Sequence, residues 1–404
     1  MKSLFLACLA GLFGLMAVPA AAQFTSVDSP TGPITAGPYI IVDAKTGETL
    51  LQSGAGAPWY PASLTKLMTI YIVFQELKTG HLKLQTPVPF SAHAASMPPS
   101  KLGMAVGTSV TLEQALESLV ANSANDVAVA LAELIGGSEP AFAQRMTQTA
   151  KQLGMTATTF GNANGLPDPG NLSTARDLAL LGVALARDFP QYYGYFRTQD
   201  FMLGKRLVGH GVKFVRLYAP YAEGLKTGFI CASGFNLVGS ATRDGRRLIG
   251  VALGFRRGDL RDEFLVRLFD QAYALKTGGA RPMVWQLRND GGQPAVVFSQ
   301  SECGTIRYDM PGDAVWLGTY GTWAVARQVY DNGETELARM GVAHTGKEYI
   351  LPVTVNKATR QAAIIADLEP GVAERLCASY RARKQFCEVK KPQDFVAPFT
   401  AFWR

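Results

Sequence analysis

The chain has 404 residues, 18% of them charged and 48% hydrophobic, and a formal net charge of +7. That is more than one domain usually holds and apolar enough to bury a substantial core, which excludes a disordered chain. The basic excess is mild and no dense Lys/Arg run interleaves with aromatics, so nucleic-acid binding has no support.

The first segment reads as one to be removed. Lys2 precedes an apolar run over residues 4–18, and Ala20-Ala21-Ala22 forms a small-residue cleavage site before Gln23. A secretory signal peptide over residues 1–22 is therefore expected, and with it an exported protein. Cys8 would leave with that segment. Cys231, Cys303, Cys377 and Cys387 remain, too few for a disulfide framework although an oxidising compartment permits bridges. His81, His93, His210 and His344 are scattered without ligand spacing, so neither a metal site nor a cofactor is expected.

In chain order, residues 37–43 and 48–53 read as a strand pair around the turn Lys45-Thr46-Gly47. Pro61 introduces a helix over residues 63–74 that is apolar almost all round and so should be buried. It carries the only Ser-x-x-Lys of the chain, Ser63-Leu64-Thr65-Lys66. Three residues apart, Ser63 and Lys66 share a face. A serine hydroxyl needs a neighbouring base to become a nucleophile, and a lysine serves only when neutral, a state favoured by burial and a nearby cation.

Residues 111–134 look helical with a polar break at 121–126, where the only Ser-x-Asn, Ser123-Ala124-Asn125, falls in a loop able to present both side chains to a cleft. A turn-rich loop follows at 158–168, and residues 173–177 open another helix. Lys-Thr-Gly occurs at 45–47, 78–80, 226–228 and 276–278. The copy at 45–47 has turn chemistry, and the copy at 276–278 follows an apolar helical run over 264–275 and reads as its stop. Only Lys226-Thr227-Gly228 opens a strand, 229–232, with strands 235–242 and 247–253 behind it. Strands at both ends with helices between imply one sheet built from distant segments, an α+β arrangement. Ser-x-x-Lys, Ser-x-Asn and Lys-Thr-Gly in this order are a signature of acyl transfer through a serine ester.

Residues 281–318 are rich in Gly, Pro and Asp and read as a connector. Beyond it a strand at 323–330, helix at 334–343, strands at 349–356 and 360–367, helix at 370–383 and strand at 385–389 give a βαββαβ order. Ala373, Leu376, Cys377 and Tyr380 follow the i, i+3, i+4, i+7 pattern, and residues 386–389 alternate as a half-buried strand. A separation of ten lets that strand fold back along the helix, so a Cys377–Cys387 disulfide is expected. The pairing of Cys231 and Cys303 stays open. In the tail at 393–404, Phe395, Phe399, Phe402 and Trp403 have helical spacing that Pro398 interrupts, so at most weak peripheral membrane contact is expected.

Residues 30–275, through Tyr-Pro-Ala-Ser-Leu-Thr-Lys-Leu-Met-Thr, Ser-Ala-Asn-Asp and Gly-Leu-Lys-Thr-Gly-Phe, resemble the low-molecular-mass penicillin-binding proteins that are serine D-alanyl-D-alanine carboxypeptidases. The resemblance implies a β-lactamase/transpeptidase-like domain over 23–280, with an antiparallel sheet flanked by helices. Ser63 would be the acylated nucleophile, Lys66 its base and Ser123 the proton relay to the leaving D-alanine. Asn125 would hold a substrate amide. Lys226, Thr227 and Arg261 would meet the terminal carboxylate, and the backbone N–H groups of Ser63 and Phe229, beside Gly228, would form the oxyanion hole. Phe229 stands where several relatives have a small polar residue or His. The implied partners are peptidoglycan stem peptides, with β-lactam antibiotics as covalent inhibitors, in the periplasm at the cell wall. Residues 319–392 resemble a SPOR domain, which binds glycan strands stripped of peptides. The alternatives are a β-lactamase, for which no motif supplies the usual activating Glu, and a non-catalytic peptidoglycan-binding protein, which the intact motif residues disfavour.

Overall fold

The computed structural model describes residues 25–27, 34–98, 100–209, 211–276, 278–298, 312–321, 323–343, 348–355 and 358–390. The expected signal peptide, the aromatic tail, Cys303 and Thr277 lie outside these residues.

The catalytic region is built on five antiparallel strands: β1 (Tyr39–Asp43), β2 (Thr49–Ser53), β3 (Ala222–Ile230), β4 (Gly234–Arg243) and β5 (Arg246–Phe255), in the order β2-β1-β5-β4-β3. Between β2 and β3 come α1 (Lys66–Thr79), α2 (Leu112–Ala121), α3 (Asn125–Gly136), α4 (Glu139–Gln152) and α5 (Ala175–Asp188); α6 (Gly258–Ala274) follows β5. Each sheet face carries a helix. Gly182 of α5 lets that helix approach Ile249, while Leu265 and Phe269 of α6 fill the space left by Gly239 and Gly250 on the other face. Every residue of α1 from Lys66 to Phe74 is buried, as its all-round apolar sequence requires. Short caps define the other helices: Thr111 closes a capping box with Gln114, and Thr174 accepts from Asp177 N.

Two expectations are adjusted here. Ser63 lies not in α1 but in a single 3-10 turn, Ala62–Thr65, that feeds it. And Lys226-Thr227-Gly228 does not open its strand; β3 begins at Ala222, and residues 231–232 lie beyond its end. Glu223 hid the start. A carboxylate reads as solvent-facing, yet it is 4% exposed and satisfied by Arg247, Arg197, Ser240 and Thr242. The first Lys-Thr-Gly is the expected turn: Asp43 Oδ1 accepts from Lys45 N and Thr46 N at 3.0 Å each, and Gly47 has φ +77°. Gly278, in the copy at 276–278, donates its N–H to Glu48 beyond the end of α6.

Residues 281–298 are not a loose connector. Thr49 N bonds Pro282 O, Val284 N bonds Gly47 O, and Val297 N bonds Ala232 O, so this stretch is laid along the catalytic region. The second unit begins earlier than expected, with β6 (Asp313–Tyr320), and continues through α7 (Trp323–Arg339), β7 (Glu348–Val355), β8 (Ala358–Leu368), α8 (Val372–Ala382) and β9 (Glu388–Lys390). The βαββαβ order stands, in an antiparallel sheet β7-β8-β6-β9, a split βαβ arrangement. Residues 323–330, expected as a strand, are helical. Ala326, Tyr330, Gly333 and Leu337 are buried one turn apart, and that 3.6 period over a longer window outweighs the apparent alternation of Trp-Ala-Val-Ala. Cys377 and Cys387 form the expected disulfide, with Cα atoms 5.1 Å apart. Cys231 is disulfide-bonded too. Among the described residues no helix is long and apolar enough to cross a membrane.

Candidate active site

The nucleophile turn, the α2–α3 loop and the edge strand β3 converge. Ala62 (φ +51°) and Ser123 (φ +55°) are non-glycine residues held in the left-handed region, one beside the nucleophile and one in the Ser-x-Asn loop. Such conformations persist only where surrounding structure imposes them, and they cluster at functional sites. Lys66 begins α1, so its side chain runs back over the 3-10 turn. Nζ lies 3.1 Å from Ser63 Oγ, 2.8 Å from Asn125 Oδ1 and 2.5 Å from the carbonyl of Asn164.

The loop around residue 164 is pinned to α1, since Thr69 Oγ1 donates to Ala163 O. On the other side, Asn125 Nδ2 donates to Pro98 O, and Asp126 accepts from Leu102 N and Gly103 N. These bonds tie residues 98, 102 and 103 to the start of α3.

Lys66 is fully buried. Burial, then the charge of Lys226, drives its pKa well below the ordinary lysine value, with Asp126 pulling the other way. Lys226 is 1% exposed. Burial and then Arg261 lower its pKa to about 7. Each lysine is thus pushed towards its neutral form by burial and then by a neighbouring cation, Lys226 beside Lys66 and Arg261 beside Lys226, the condition for Lys66 to act as a base.

On β3, Gly228 packs directly on the nucleophile turn. A Cβ there would sit 3.0 Å from Ser63 N and 3.1 Å from Leu64 N, so no larger residue allows the strand this close. The cleft wall is therefore backbone, which puts the Lys-Thr-Gly strand beside the N–H of Ser63. Thr227 and Phe229 are half-buried. Arg261 is 6% exposed, held by Asp262 Oδ1 at 3.0 and 2.7 Å and by the carbonyl of Asn236 at 3.1 Å. Asn236 reaches further: its Nδ2 donates to Tyr60 O and its Oδ1 accepts from Gly254 N.

The structure thus brings Ser63, Lys66 and Asn125 into direct contact, with Lys226 and Gly228 against them and Arg261 acting on Lys226 through its charge. Sequence reasoning missed the Asn164 carbonyl, Asp126 and Asn236. A main-chain acceptor leaves no motif; Asp126 stood in the open beside Asn125.

A five-stranded antiparallel sheet and a helical cluster meeting at a half-buried serine paired with a buried lysine define the penicillin-binding class of protein. Comparison with known proteins gives the family. Residues 23–257 match the family profile described as D-alanyl-D-alanine carboxypeptidase. D-alanyl-D-alanine carboxypeptidase DacC of Escherichia coli is 35% identical over 273 residues, 66% of this chain and 66% of that protein. The chain thus spans just under two thirds of that relative's length. The crystal structure of penicillin binding protein 5 from Haemophilus influenzae superposes with a TM-score of 0.58 at 33% identity, covering 60% of this chain and 71% of that one. Penicillin-Binding Protein D2 from Listeria monocytogenes, solved in its cefotaxime-bound form, gives a TM-score of 0.54 at 25% identity, covering 59% and 97%. The chain belongs to the D-alanyl-D-alanine carboxypeptidase family, peptidase family S11.

Proposed function

We propose that this protein is a serine-type carboxypeptidase that removes the terminal D-alanine from peptidoglycan stem pentapeptides. The observation that carries the reading is the 3.1 Å approach of a buried, pKa-depressed Lys66 to Ser63 Oγ. Neutral Lys66 takes the Ser63 proton as Oγ attacks the carbonyl carbon of the penultimate D-alanine. The Ser63 and Phe229 N–H groups hold the resulting oxyanion. Ser123 passes a proton to the departing amine, the C–N bond breaks, and free D-alanine leaves an ester on Ser63. Water then hydrolyses that ester and regenerates the serine. Thr227 and Arg261 hold the terminal carboxylate, assisted by the charge of Lys226, and Asn125 holds a substrate amide while keeping Lys66 in place. A guanidinium suits a carboxylate geometrically.

The exported location and periplasmic setting are part of the same proposal and rest on the leader sequence. The split βαβ unit supports, as a SPOR-like module, an attachment to glycan strands that would hold the enzyme on its substrate. The β-lactamase alternative lacks support, because the loop facing Lys66 offers it the Asn164 carbonyl rather than a carboxylate.

The test is release of D-alanine from a purified pentapeptide, with a fluorescent penicillin as a second probe. The wild type should release D-alanine and label on Ser63, and Ser63→Ala should do neither. Lys66→Ala should acylate ~10²–10⁴-fold more slowly, as expected on losing an essential base. Labelling of Ser63→Ala at the wild-type rate would sink the assignment.

A further inference from the structure

We propose that Phe229, backed by Phe235 and Phe298, forms an aromatic wall that limits the side chain of the leaving residue to a small D-amino acid. The proposal rests on the carboxypeptidase reading and says which residues set its specificity. Strand alternation puts Thr227 and Phe229 on one face of β3, so Phe229 is the next side chain along from the hydroxyl assigned to the terminal carboxylate.

The wall is continuous and stiff. In the β3–β4 register Phe229 faces Phe235, with ring centroids 4.4 Å apart. Phe298 stands on the far side at 6.3 Å. Phe235 extends the wall towards Arg261: a Cβ on Gly258 would lie 3.2 Å from the Phe235 ring and 3.8 Å from Arg261 Nη2, so ring and guanidinium border the same point.

Phe298 comes from outside the family-matched residues 23–257. It is 7% exposed and fixed from several sides. Its N–H bonds Cys231 O and that of Val297 bonds Ala232 O, which ties both residues to the chain just beyond the end of β3. Arg256 Nη1 bonds Val297 O at 3.0 Å, and its guanidinium lies 4.6 Å over the Phe298 ring. Phe229 therefore has a packed aromatic behind it and a half-exposed edge, and it has little freedom to swing away.

With the carboxylate held by Thr227 and Arg261, the side chain of the terminal residue projects beside this wall. A methyl group fits such a boundary, whereas a branched chain meets rings that cannot yield without breaking the Phe298 anchorage. Each added methylene at a shaped apolar boundary is worth roughly 10-fold or more in kcat/KM.

The experiment compares kcat/KM for acyl-L-Lys-D-Ala-D-Ala and acyl-L-Lys-D-Ala-D-Leu in the full-length wild type, Phe229→Ser and Phe298→Ala. The wild type should favour D-Ala strongly. Both variants should raise the D-Leu to D-Ala ratio of kcat/KM by about 10-fold or more. Should Phe229→Ser not fold, Phe298→Ala decides alone, since it sits behind the wall and touches no reacting group. An unchanged ratio in a protein that releases D-alanine overturns the wall. Absence of D-alanine release from a wild type that labels with penicillin overturns the carboxypeptidase reading and the wall with it.

Discussion

Gly165→Ala should disable the nucleophile without touching it. Gly165 has φ +81°, and a Cβ there would collide with the carbonyl group of Ala62 and come within 3.0 Å of Ser63 N. The left-handed conformation alone costs an L-residue about 1–2 kcal/mol. Relieving overlap in a packed region costs roughly 1–3 kcal/mol more. The obstacle is backbone, which cannot rotate aside, so the relief must come from moving the turn that carries Ser63 or the loop that carries the Asn164 carbonyl. The sum, about 2–5 kcal/mol, corresponds to a fall in Tm of roughly 5–20 °C for a domain of this size. Displacing Ser63 by a large fraction of an ångström should slow acylation by ~10²-fold. Gly154→Ala separates the two effects. Gly154 has φ +78°, but its Cβ would meet only Leu180 Cδ1 at 3.9 Å, so it carries the conformational cost without the collision. Fluorescent-penicillin labelling rates and thermal unfolding of both variants form the assay. A Gly165→Ala protein that labels at the wild-type rate with an unmoved Tm, or one that behaves like Gly154→Ala, refutes the reasoning.

Thr227→Val should lower kcat/KM by about 10–150-fold, the loss of one hydrogen bond to a charged group, while Thr46→Val and Thr277→Val leave it nearly unchanged; equal losses at all three would show that the wrong Lys-Thr-Gly was chosen. Lys226 titrates at about 7 in the folded protein against ~10.4 in the unfolded chain, so between those values the unfolded state binds more protons and stability rises with pH. Thermal scans from pH 7 to pH 10 should show that rise reduced in Lys226→Met, though not abolished, because Lys66 acts in the same direction; an equal slope in both proteins counts against the buried cation. The Cys377–Cys387 bridge closes a separation of 10 residues, so chain entropy assigns it about 2.7 kcal/mol. Peptide mapping without reductant should recover the linked pair, and a Cys377→Ala/Cys387→Ala protein should unfold its C-terminal unit in less denaturant; two alkylatable thiols in the native protein would contradict it.

The catalytic fold and the central pair were legible because their signals are local. Ser63 and Lys66 lie three residues apart, and the polar break that carries Ser123 and Asn125 interrupts an otherwise apolar run. What stayed hidden depends on partners distant in sequence. Glu223 looks like a surface residue until Arg247 is beside it. Asn164 contributes a carbonyl, which every residue possesses. Phe298 lies in a stretch whose Gly, Pro and Asp content suggests a linker, and only its own bond to Cys231 and that of Val297 to Ala232 bring it against the end of β3. In the C-terminal unit the order of elements is readable from the sequence, but the pattern places its first strand one element late. Strand β6 ends at Tyr320 directly before a helix with its own β-like composition, and a short window does not separate the two periods.

The Asn236 side chain has a consequence for how the site keeps its dimensions. Its amide nitrogen holds the carbonyl of Tyr60, just ahead of the nucleophile turn, and its own backbone carbonyl holds Arg261. The attacking oxygen and the cation assigned to the far end of the substrate are thus both measured from one buried residue, as parts on a machined plate are measured from a common datum. Placement errors do not accumulate around the loop of chain that separates them; they are bounded by the length of a single asparagine. An Asn236→Leu protein would keep the sheet's packing volume and the backbone hold on Arg261 yet lose the tie to Tyr60, so the nucleophile end of the cleft would lose the reference that the carboxylate end keeps.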